Sequence, residues 1–422
     1  MLDIELFRKN PDIIKASQQK RGLSTEIVEE VTRLDEKWRE YLQEAEKLKH
    51  ERNIVSENIN KLKKAGKPAE TEIKKTKQLV DELKKVDEQA NTTKMMRDKV
   101  LLEVPNLLEP DVPLGKDEND NVEIKKVGKP PTFTFTPKHH QDLLENLDCL
   151  DVAQAAKVAG ARFYYLKNDL VRLNQALLNF ALDFLAKKRF ILVQPPFMLK
   201  REVLSGAVPL NAFEDTIYKI QDEDLYLIGT AEHAINAYNF GKVLKGLPLR
   251  YAGISPCFRK EAGTHGKDMK GIFRVHQFEK IEQFVFCNPK DAKKEFDFLL
   301  ENLEELYKAL GIPYRLLFLC SADTGRVATK TIDLEGWFPA QQKYRELASC
   351  SDCTTYQGRR SNIKYQEGGC MEFVNTLNNT AIATERTMAC LVENFQQKDG
   401  SIKIPKVLWR YAGFKEIRPR KA

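Results

Sequence analysis

The stretch that decides the fold is FRKEAGTHGKDMKGIFRVHQFEKIE, residues 258 to 282. It opens on Phe258-Arg259-Lys260-Glu261, passes a Gly- and Lys-rich segment from Gly263 to Gly271, and returns through Phe273-Arg274-Val275-His276-Gln277-Phe278. That is the form of a strand, a loop and a second strand. Side chains of an extended chain alternate, which would put Arg259 and Glu261 on one face. Arg274, Phe278 and Glu282 recur every four residues and would share a face on a strand or on a helix alike. If the returning segment is extended, Arg274 and Glu282 stand about 26 Å apart, a span suited to an elongated, two-part ligand and its surroundings.

Outward from this segment, short β-rich runs at Phe133-Thr134-Phe135, Phe163-Tyr164-Tyr165, Leu225-Tyr226-Leu227-Ile228 and Phe284-Val285-Phe286 alternate with helical segments near 171 to 188 and 290 to 310. The mix predicts an α+β domain built on a sheet. No glycine-rich phosphate fingerprint of the P-loop or dinucleotide type occurs, so a nucleotide would have to be held by side chains. Upstream, a proline-punctuated acidic stretch from Val104-Pro105-Asn106 to Asn121 reads as a linker.

The first quarter has a different pattern. Val31, Leu34, Trp38, Tyr41, Ala45, Leu48, Val55, Ile59 and Leu62 are spaced by threes and fours, with Arg52 in the remaining seam position, as in a coiled-coil helix. A break at Ala65-Gly66-Lys67-Pro68 ends it, and a second helix carries Leu79, Leu83, Val86, Ala90 and Val100, its seam interrupted by Thr93 and Arg97. So short a connection makes the two helices an antiparallel hairpin, whose first arm would reach roughly 45 to 50 Å. From Lys61 to Val100 there are twelve Lys or Arg against seven Asp or Glu, so the outer arm is basic. A solvated helix face would explain such a charge run; a projecting hairpin adds a reason to touch something distant and polyanionic.

A chain of 422 residues is more than one core usually organises. We expect a domain over residues 1–110 and another over 111–422. The excess of 68 Lys and Arg over 61 Asp and Glu, +7, is compatible with a polyanionic partner without establishing one. The start, MLDIELFRKNPDII, does not read as a signal peptide, and no apolar run is long enough to span a bilayer. Eight scattered cysteines then favour reduced thiols in a cytoplasmic setting.

The segment at 258–282 resembles motif 2 of the class II aminoacyl-tRNA synthetases, in its seryl version. KKRFILVQPPFM, with Pro196, resembles motif 1, and LNNTAIATERTMACLVENFQ, with Arg386, resembles motif 3. Between them, LIGTAE with Thr230-Ala231-Glu232, and YRELASCSDCTTYQGRR from Tyr344, are similar to segments of seryl enzymes in particular. The MLD start, the hairpin and DVPLGKDENDNV extend the likeness over essentially the whole chain.

The resemblance implies an antiparallel class II catalytic domain, a homodimer formed through motif 1, and serine as the amino acid. The serine carboxylate would attack the α-phosphate of ATP, and the seryl group would pass to the 3′ end of serine tRNA, and of selenocysteine tRNA where a cell has one. It implies Arg259 bridging carboxylate and α-phosphate, a task for a planar fork that never loses its proton. Arg386 would hold the terminal phosphate, Phe278 would stack on adenine, and Glu261 would accept from the adenine amino group. Lys260, Arg274, Val275, Leu347 and Ala348 complete the implied ATP site. Glu346 and Ser349 would offer oxygens to magnesium. Serine would be read by Thr230, Glu232, Glu282, Asn378 and Thr380 together with Arg259. The hairpin would grip the long variable arm of the tRNA, with the motif 2 loop at its acceptor end.

Each residue also has a plainer explanation. An isolated Phe-Arg-x-Glu is often a surface ion-pair strand, and Thr-Ala-Glu often a helix start. Cys350 and Cys353 form a CxxC without a second pair at metal spacing, so no structural zinc is expected. His265 and His276 are expected to be loop and packing residues. Three positions depart from the family: Met269 in the motif 2 loop, Cys370 before motif 3, and Asn379, which stands where glycine is usual and would be suited to a left-handed turn.

Overall fold

A computed structural model describes residues 1–210, 215–261 and 270–419. The chain divides into two compact units, Met1–Val104 and Pro105–Ala422. The expected linker is not free. Asn106 is buried and its Nδ2 donates to the carbonyls of Val327 and Cys353, both at 2.9 Å, while Val112 is 3% exposed. Residues 105 to 110 therefore belong with the second unit.

In the first unit, helices α1 (Glu26–Lys64) and α2 (Glu70–Leu101) lie side by side. At 39 residues α1 is about 58 Å long. It ends as the sequence suggests: Gly66 takes φ +66°, and Lys67 N–H donates to Leu62 O at 2.9 Å while Gly66 N–H donates to Lys63 O at 3.2 Å, satisfying carbonyls that a helix end leaves open. Val31, Leu34, Ala45 and Val55 bury one stripe of α1, and Leu79, Leu83, Val86 and Ala90 its counterpart on α2. Thr93 and Arg97 do not interrupt that seam, because both are buried in it. Arg97 Nη1 meets Asp35 Oδ1 at 2.8 Å, its guanidinium lies 4.5 Å from the centre of the Trp38 ring, and Arg8 holds the other Asp35 oxygen at 2.8 Å. Burial would raise the Asp35 carboxyl, but Arg8 and Arg97 outweigh it and hold the group below its ordinary value.

The second unit is built on an eight-stranded sheet. In chain order its elements are β1 (Val122–Val127), α3 (His140–Asn146), α4 (Asp169–Lys187), β2 (Ile191–Val193), α5 (Ala231–Tyr238), β3 (Leu249–Phe258), β4 (Gln277–Cys287), α6 (Ala292–Leu310), β5 (Tyr314–Phe318), β6 (Lys330–Phe338), β7 (Lys343–Asp352), β8 (Asn375–Ala383) and α7 (Thr384–Phe395). The strands lie in the order β1-β5-β6-β7-β8-β4-β3-β2, antiparallel except for the last pair.

Helix α6 buries Phe296, Leu299, Leu303, Leu306 and Leu310, a stripe at helical spacing, and stops at Gly311 in the left-handed region. Helix α4 does the same with Leu170, Leu173, Leu177 and Ala181. Helix α7 is buried all round from Thr387 to Asn394, so the arginine at its first turn is carried by a helix sunk in the core. The run at Phe133-Thr134-Phe135 forms no strand; its two phenyl rings pack edge to face on each other at 5.1 Å instead. Of Phe163-Tyr164-Tyr165 only Tyr165 enters one, the two-residue strand Tyr165–Leu166.

Candidate active site

Strands β3 and β4 pair antiparallel in continuous register from Leu249 opposite Phe286 to Phe258 opposite Gln277. The ladder reaches one step further. Arg259 N–H donates to His276 O at 2.9 Å, and His276 Nδ1 lies 2.9 Å from Arg259 O, which can only accept, so the imidazole carries its proton there. His276 is thus a packing residue that fixes the backbone of Arg259. The Arg259 guanidinium donates to Gly229 O at 3.2 Å and sits 5.3 Å from the centre of the Phe278 ring.

Glu261 lies past the end of β3 at φ +50°, so strand alternation does not govern it. Arg274 precedes β4 rather than lying on it, and only Phe278 and Glu282 share a strand face; the 26 Å separation estimated for an extended segment therefore does not apply. Instead the chain folds back and Arg274 Nη1 meets Glu261 Oε2 at 2.8 Å. His265 and Met269 lie outside the described residues.

These residues line a cleft with about 500 Å³ of empty space. Arg259, Glu261, Arg274, Val275 and Phe278 form one side; Glu346, Leu347, Thr380 and Arg386 come from β7, β8 and α7. Arg386 Nη1 is paired with Glu346 Oε1 at 2.8 Å. The arginine's charge holds the Glu346 carboxyl below its ordinary value, against the opposing effect of burial. Lys260, Ala348 and Ser349 lie outside the lining: Lys260 N–H is bonded to Thr216 O at 2.9 Å, and Ala348 belongs to the core. Ser349 stands opposite Asp333 across the β6–β7 ladder. Asp333 Oδ1 is buried without a hydrogen-bond partner, and burial, then the Glu346 charge, push this carboxyl well above its usual range.

A second group of polar side chains gathers where β4, β8 and the start of α5 meet. Thr230 caps α5, accepting from Glu232 N–H at 3.3 Å, so the plain helix-start reading of Thr-Ala-Glu also holds. Glu232 Oε1 accepts from Gln357 Nε2 at 2.6 Å and from Asn378 Nδ2 at 3.4 Å. Burial and then the nearby Glu282 charge push Glu232 up to about 7. Thr380 stands opposite Glu282 in register and donates to its Oε2 at 3.4 Å; Lys280 is ion-paired with the same carboxylate.

Asn379 needs no left-handed turn. It lies within β8, fully buried, donates to Ser349 O at 3.0 Å and accepts from Gln283, so a second amide fills the volume beside it. Cys370 begins a short exposed strand, Cys370–Phe373. Cys350 and Cys353 are both buried, and burial raises both thiols.

Sequence reasoning missed Phe273, Lys280 and Glu385, which also line the cleft. Lys280 was within reach, since strand alternation puts it on the face of Phe278 and Glu282. Phe273 had no local signal: its ring is buried between two guanidiniums, Arg345 at 3.8 Å and Arg386 at 5.0 Å from its centre. Glu385, next to Arg386, accepts from Tyr164 Oη at 2.5 Å and from Glu279 N–H at 3.0 Å; burial pushes it up to about 7 against those bonds.

Comparison with known proteins gives two family matches. The tRNA synthetase class II core domain (G, H, P, S and T) matches residues 216–395, and the seryl-tRNA synthetase N-terminal domain matches residues 1–108. The serine--tRNA ligase of Nitrosopumilus maritimus is 46% identical over 417 residues, covering 98% of this chain and 99% of that protein. That of Pyrococcus horikoshii is 45% identical, covering 99% and 98%. Among solved structures, seryl-tRNA synthetase from Pyrococcus horikoshii complexed with ATP superposes with a TM-score of 0.96 at 45% identity over the full length of both chains. Cytoplasmic serine-tRNA ligase from Naegleria fowleri in complex with AMP gives 0.90 at 39% identity, covering 100% of this chain and 99% of that one.

Proposed function

The chain belongs to the seryl-tRNA synthetase family and joins serine to tRNA at the expense of ATP; from that premise we propose how its residues divide the work. The observation that carries the reading is the convergence on one cleft of Arg259, Arg386, Glu346 and Phe278, with the Glu282–Thr380 pair at its edge.

A carboxylate is ionised at neutral pH, so the serine nucleophile needs no base. The barrier is charge: a carboxylate must approach an α-phosphate while pyrophosphate leaves. Arg259, fixed through His276 and Gly229 O, is held to bridge the two anions. Phe278 supplies the flat face for adenine, and Glu261, anchored by Arg274, accepts from its amino group. Arg386 takes the terminal phosphate.

Glu346 and Arg386 neutralise one another, and magnesium triphosphate would give each a new partner of opposite charge. The donor set suits magnesium: a carboxylate at Glu346 and a hydroxyl at Ser349, with the Asp333 carboxyl, one oxygen of which is buried without a hydrogen-bond partner, across the ladder from Ser349. When bound, the ion would neutralise phosphate charge, and Glu346 and Ser349 would hold it.

Serine is read by Glu232, Glu282, Thr230, Asn378 and Thr380. A polar site that bonds a hydroxyl rejects an analogue lacking it by on the order of ten-thousand-fold, because its own groups are left unpaired, whereas an extra methyl is rejected by only about 1 to 3 kcal/mol. Alanine is thus excluded strongly and threonine by fit.

The basic α1–α2 hairpin binds serine tRNA, and selenocysteine tRNA where present, delivering its 3′ end to the cleft for the second step. Homodimerisation through the Pro196 segment accords with β2 being an edge strand whose Ile191 and Leu192 are 48% and 46% exposed, beside Met198 at 45%. No helix among the described residues is long and apolar enough to cross a membrane, and we place the enzyme in the cytoplasm, where tRNA is charged. Pyrophosphate exchange with each of the twenty amino acids tests the reading: serine alone should support it.

A further inference from the structure

The first turn of α3 grips the segment that returns to the cleft. Three consecutive side chains meet three consecutive residues. Lys270 pairs with Asp142 at 2.8 Å, Gly271 N–H donates to Gln141 Oε1 at 2.7 Å, and Ile272 N–H donates to His140 Nε2 at 3.3 Å. For Nε2 to accept, the imidazole proton must sit on Nδ1, and Nδ1 lies 2.8 Å from Glu393 Oε1. Both His140 and Glu393 are fully buried. The other Glu393 oxygen accepts from Ala340 N–H at 3.1 Å, and His139 Nδ1 accepts from Gln141 N–H at 3.2 Å. The three residues are spaced as metal ligands are, but each of these donor atoms already has a protein partner. The fit is close as well: a Cβ on Gly271, at φ +80°, would stand 2.0 Å from His140 Nε2.

The gripped segment leads straight to Phe273, the ring between Arg345 and Arg386, and to Arg274, the partner of Glu261. Glu393 and Arg386 are both on α7, two turns apart. One buried relay, Glu393 to His140 to Ile272, therefore ties the helix that carries Arg386 to the segment whose Phe273 ring packs against the Arg386 guanidinium.

We propose that His140 and Gln141 are positioning residues for ATP: the clamp fixes residues 270–272 so that Phe273 and Arg274 hold the phosphate- and adenine-facing groups in place. This rests on the reading of Arg386 as a phosphate ligand. His140→Asn keeps a donor near Glu393 but no longer reaches Ile272, whereas His140→Gln places an acceptor near the Nε2 position; Gln141→Ala removes the bond to Gly271 on a half-exposed side chain. In serine-dependent pyrophosphate exchange by the full chain, His140→Asn and Gln141→Ala should each raise KM for ATP about three- to tenfold, as expected for one lost hydrogen bond, with kcat and KM for serine within about twofold. His140→Gln should return most of the loss. Arg386→Ala, read by calorimetric titration with ATP, is the comparator. If it weakens ATP while His140→Asn and Gln141→Ala leave KM for ATP unmoved, the clamp is refuted alone; if Arg386→Ala has no effect on ATP, the underlying reading fails. A parallel rise of both KM values with a fall in Tm would make the contacts merely structural. Should His140→Asn not fold, Gln141→Ala decides.

Discussion

Glu232→Gln is the most discriminating perturbation of serine recognition. Of the two acids in the group proposed to bind serine, Glu282 is committed to Lys280, whereas the Glu232 carboxylate is bonded to the neutral amides of Gln357 and Asn378. It is therefore the anion free to take up the substrate's ammonium or hydroxyl. A hydrogen bond to a charged group contributes about 1.5 to 3 kcal/mol, so the substitution should lower kcat/KM for serine roughly 10- to 100-fold. The titration gives an independent signature. Burial and the Glu282 charge place Glu232 at about 7, so it is ionised above that pH and protonated below it. At pH 8 about nine-tenths of the carboxyl is charged and at pH 6 about one-tenth, so kcat/KM for serine should fall roughly tenfold across that range. The assay is serine-dependent pyrophosphate exchange at saturating ATP between pH 6 and 8.5, on both proteins. A flat profile in the unmodified enzyme, or an unchanged slope in Glu232→Gln, would refute the assignment.

Deleting residues 31 to 100 should spare serine-dependent pyrophosphate exchange and abolish tRNA charging; a truncated protein that charges tRNA normally would remove the hairpin from recognition. Ser349→Ala should raise the magnesium needed for half-maximal exchange about tenfold without moving KM for serine, and an unchanged magnesium titration would take Ser349 out of the metal site. Asp35→Ala should destabilise the hairpin by about 3 kcal/mol, because it strands Arg97, whose side chain is 8% exposed, with only Asp98 as a carboxylate partner at 2.6 Å; the helical signal of the full chain in a denaturant titration reads it, and a midpoint within experimental error of the unmodified protein contradicts it.

Local pattern was enough for the elements whose side chains meet a continuous apolar surface. The seam from Val31 to Val55 and the stripe of α6 follow periods of 3.5 and 3.6 because each buries one face against one partner, whereas β4 is buried on both faces from Lys280 to Cys287 and carries no such alternation. It failed wherever a distant group decided the outcome. Arg97 reads as a flaw in a heptad until Asp35 and Trp38 come to meet it from the other helix. Asn379 reads as a turn residue because glycine is usual there, yet Gln283 and Ser349 O, neither near it in sequence, make a buried amide suitable in mid-strand. Residues 104 to 121 look like a linker by composition, and the buried bonds that dock Asn106 go to residues more than two hundred positions away. In the site, the spacing of Phe278 and Glu282 puts them on one face of a strand or a helix alike and the structure makes it a strand, whereas Glu261 and Arg274 depart from the pattern because a residue at φ +50° and a bend break the period.

The same site pairs its own charges. Arg386 is paired with Glu346, Arg274 with Glu261, and Lys280 with Glu282, so the cations of the cleft are balanced by its anions. Leaving any of these partly buried charges alone would cost several kcal/mol, which the pairing avoids without filling the cleft. On the proposed reading a triphosphate would take Arg386 from Glu346, and Glu346 would then be available to hold magnesium, so that partners would be exchanged rather than new charge pairs created in a dry site. Because each such exchange would return about as much attraction as it removes, ground-state binding would stay moderate, and the arginine forks would act most fully when charge accumulates on the α-phosphate oxygens. Arg259 is consistent with that division. Its guanidinium is bonded to a backbone carbonyl and rests over Phe278, without a carboxylate ion pair among the described residues, and it is the arginine proposed for the reacting phosphate.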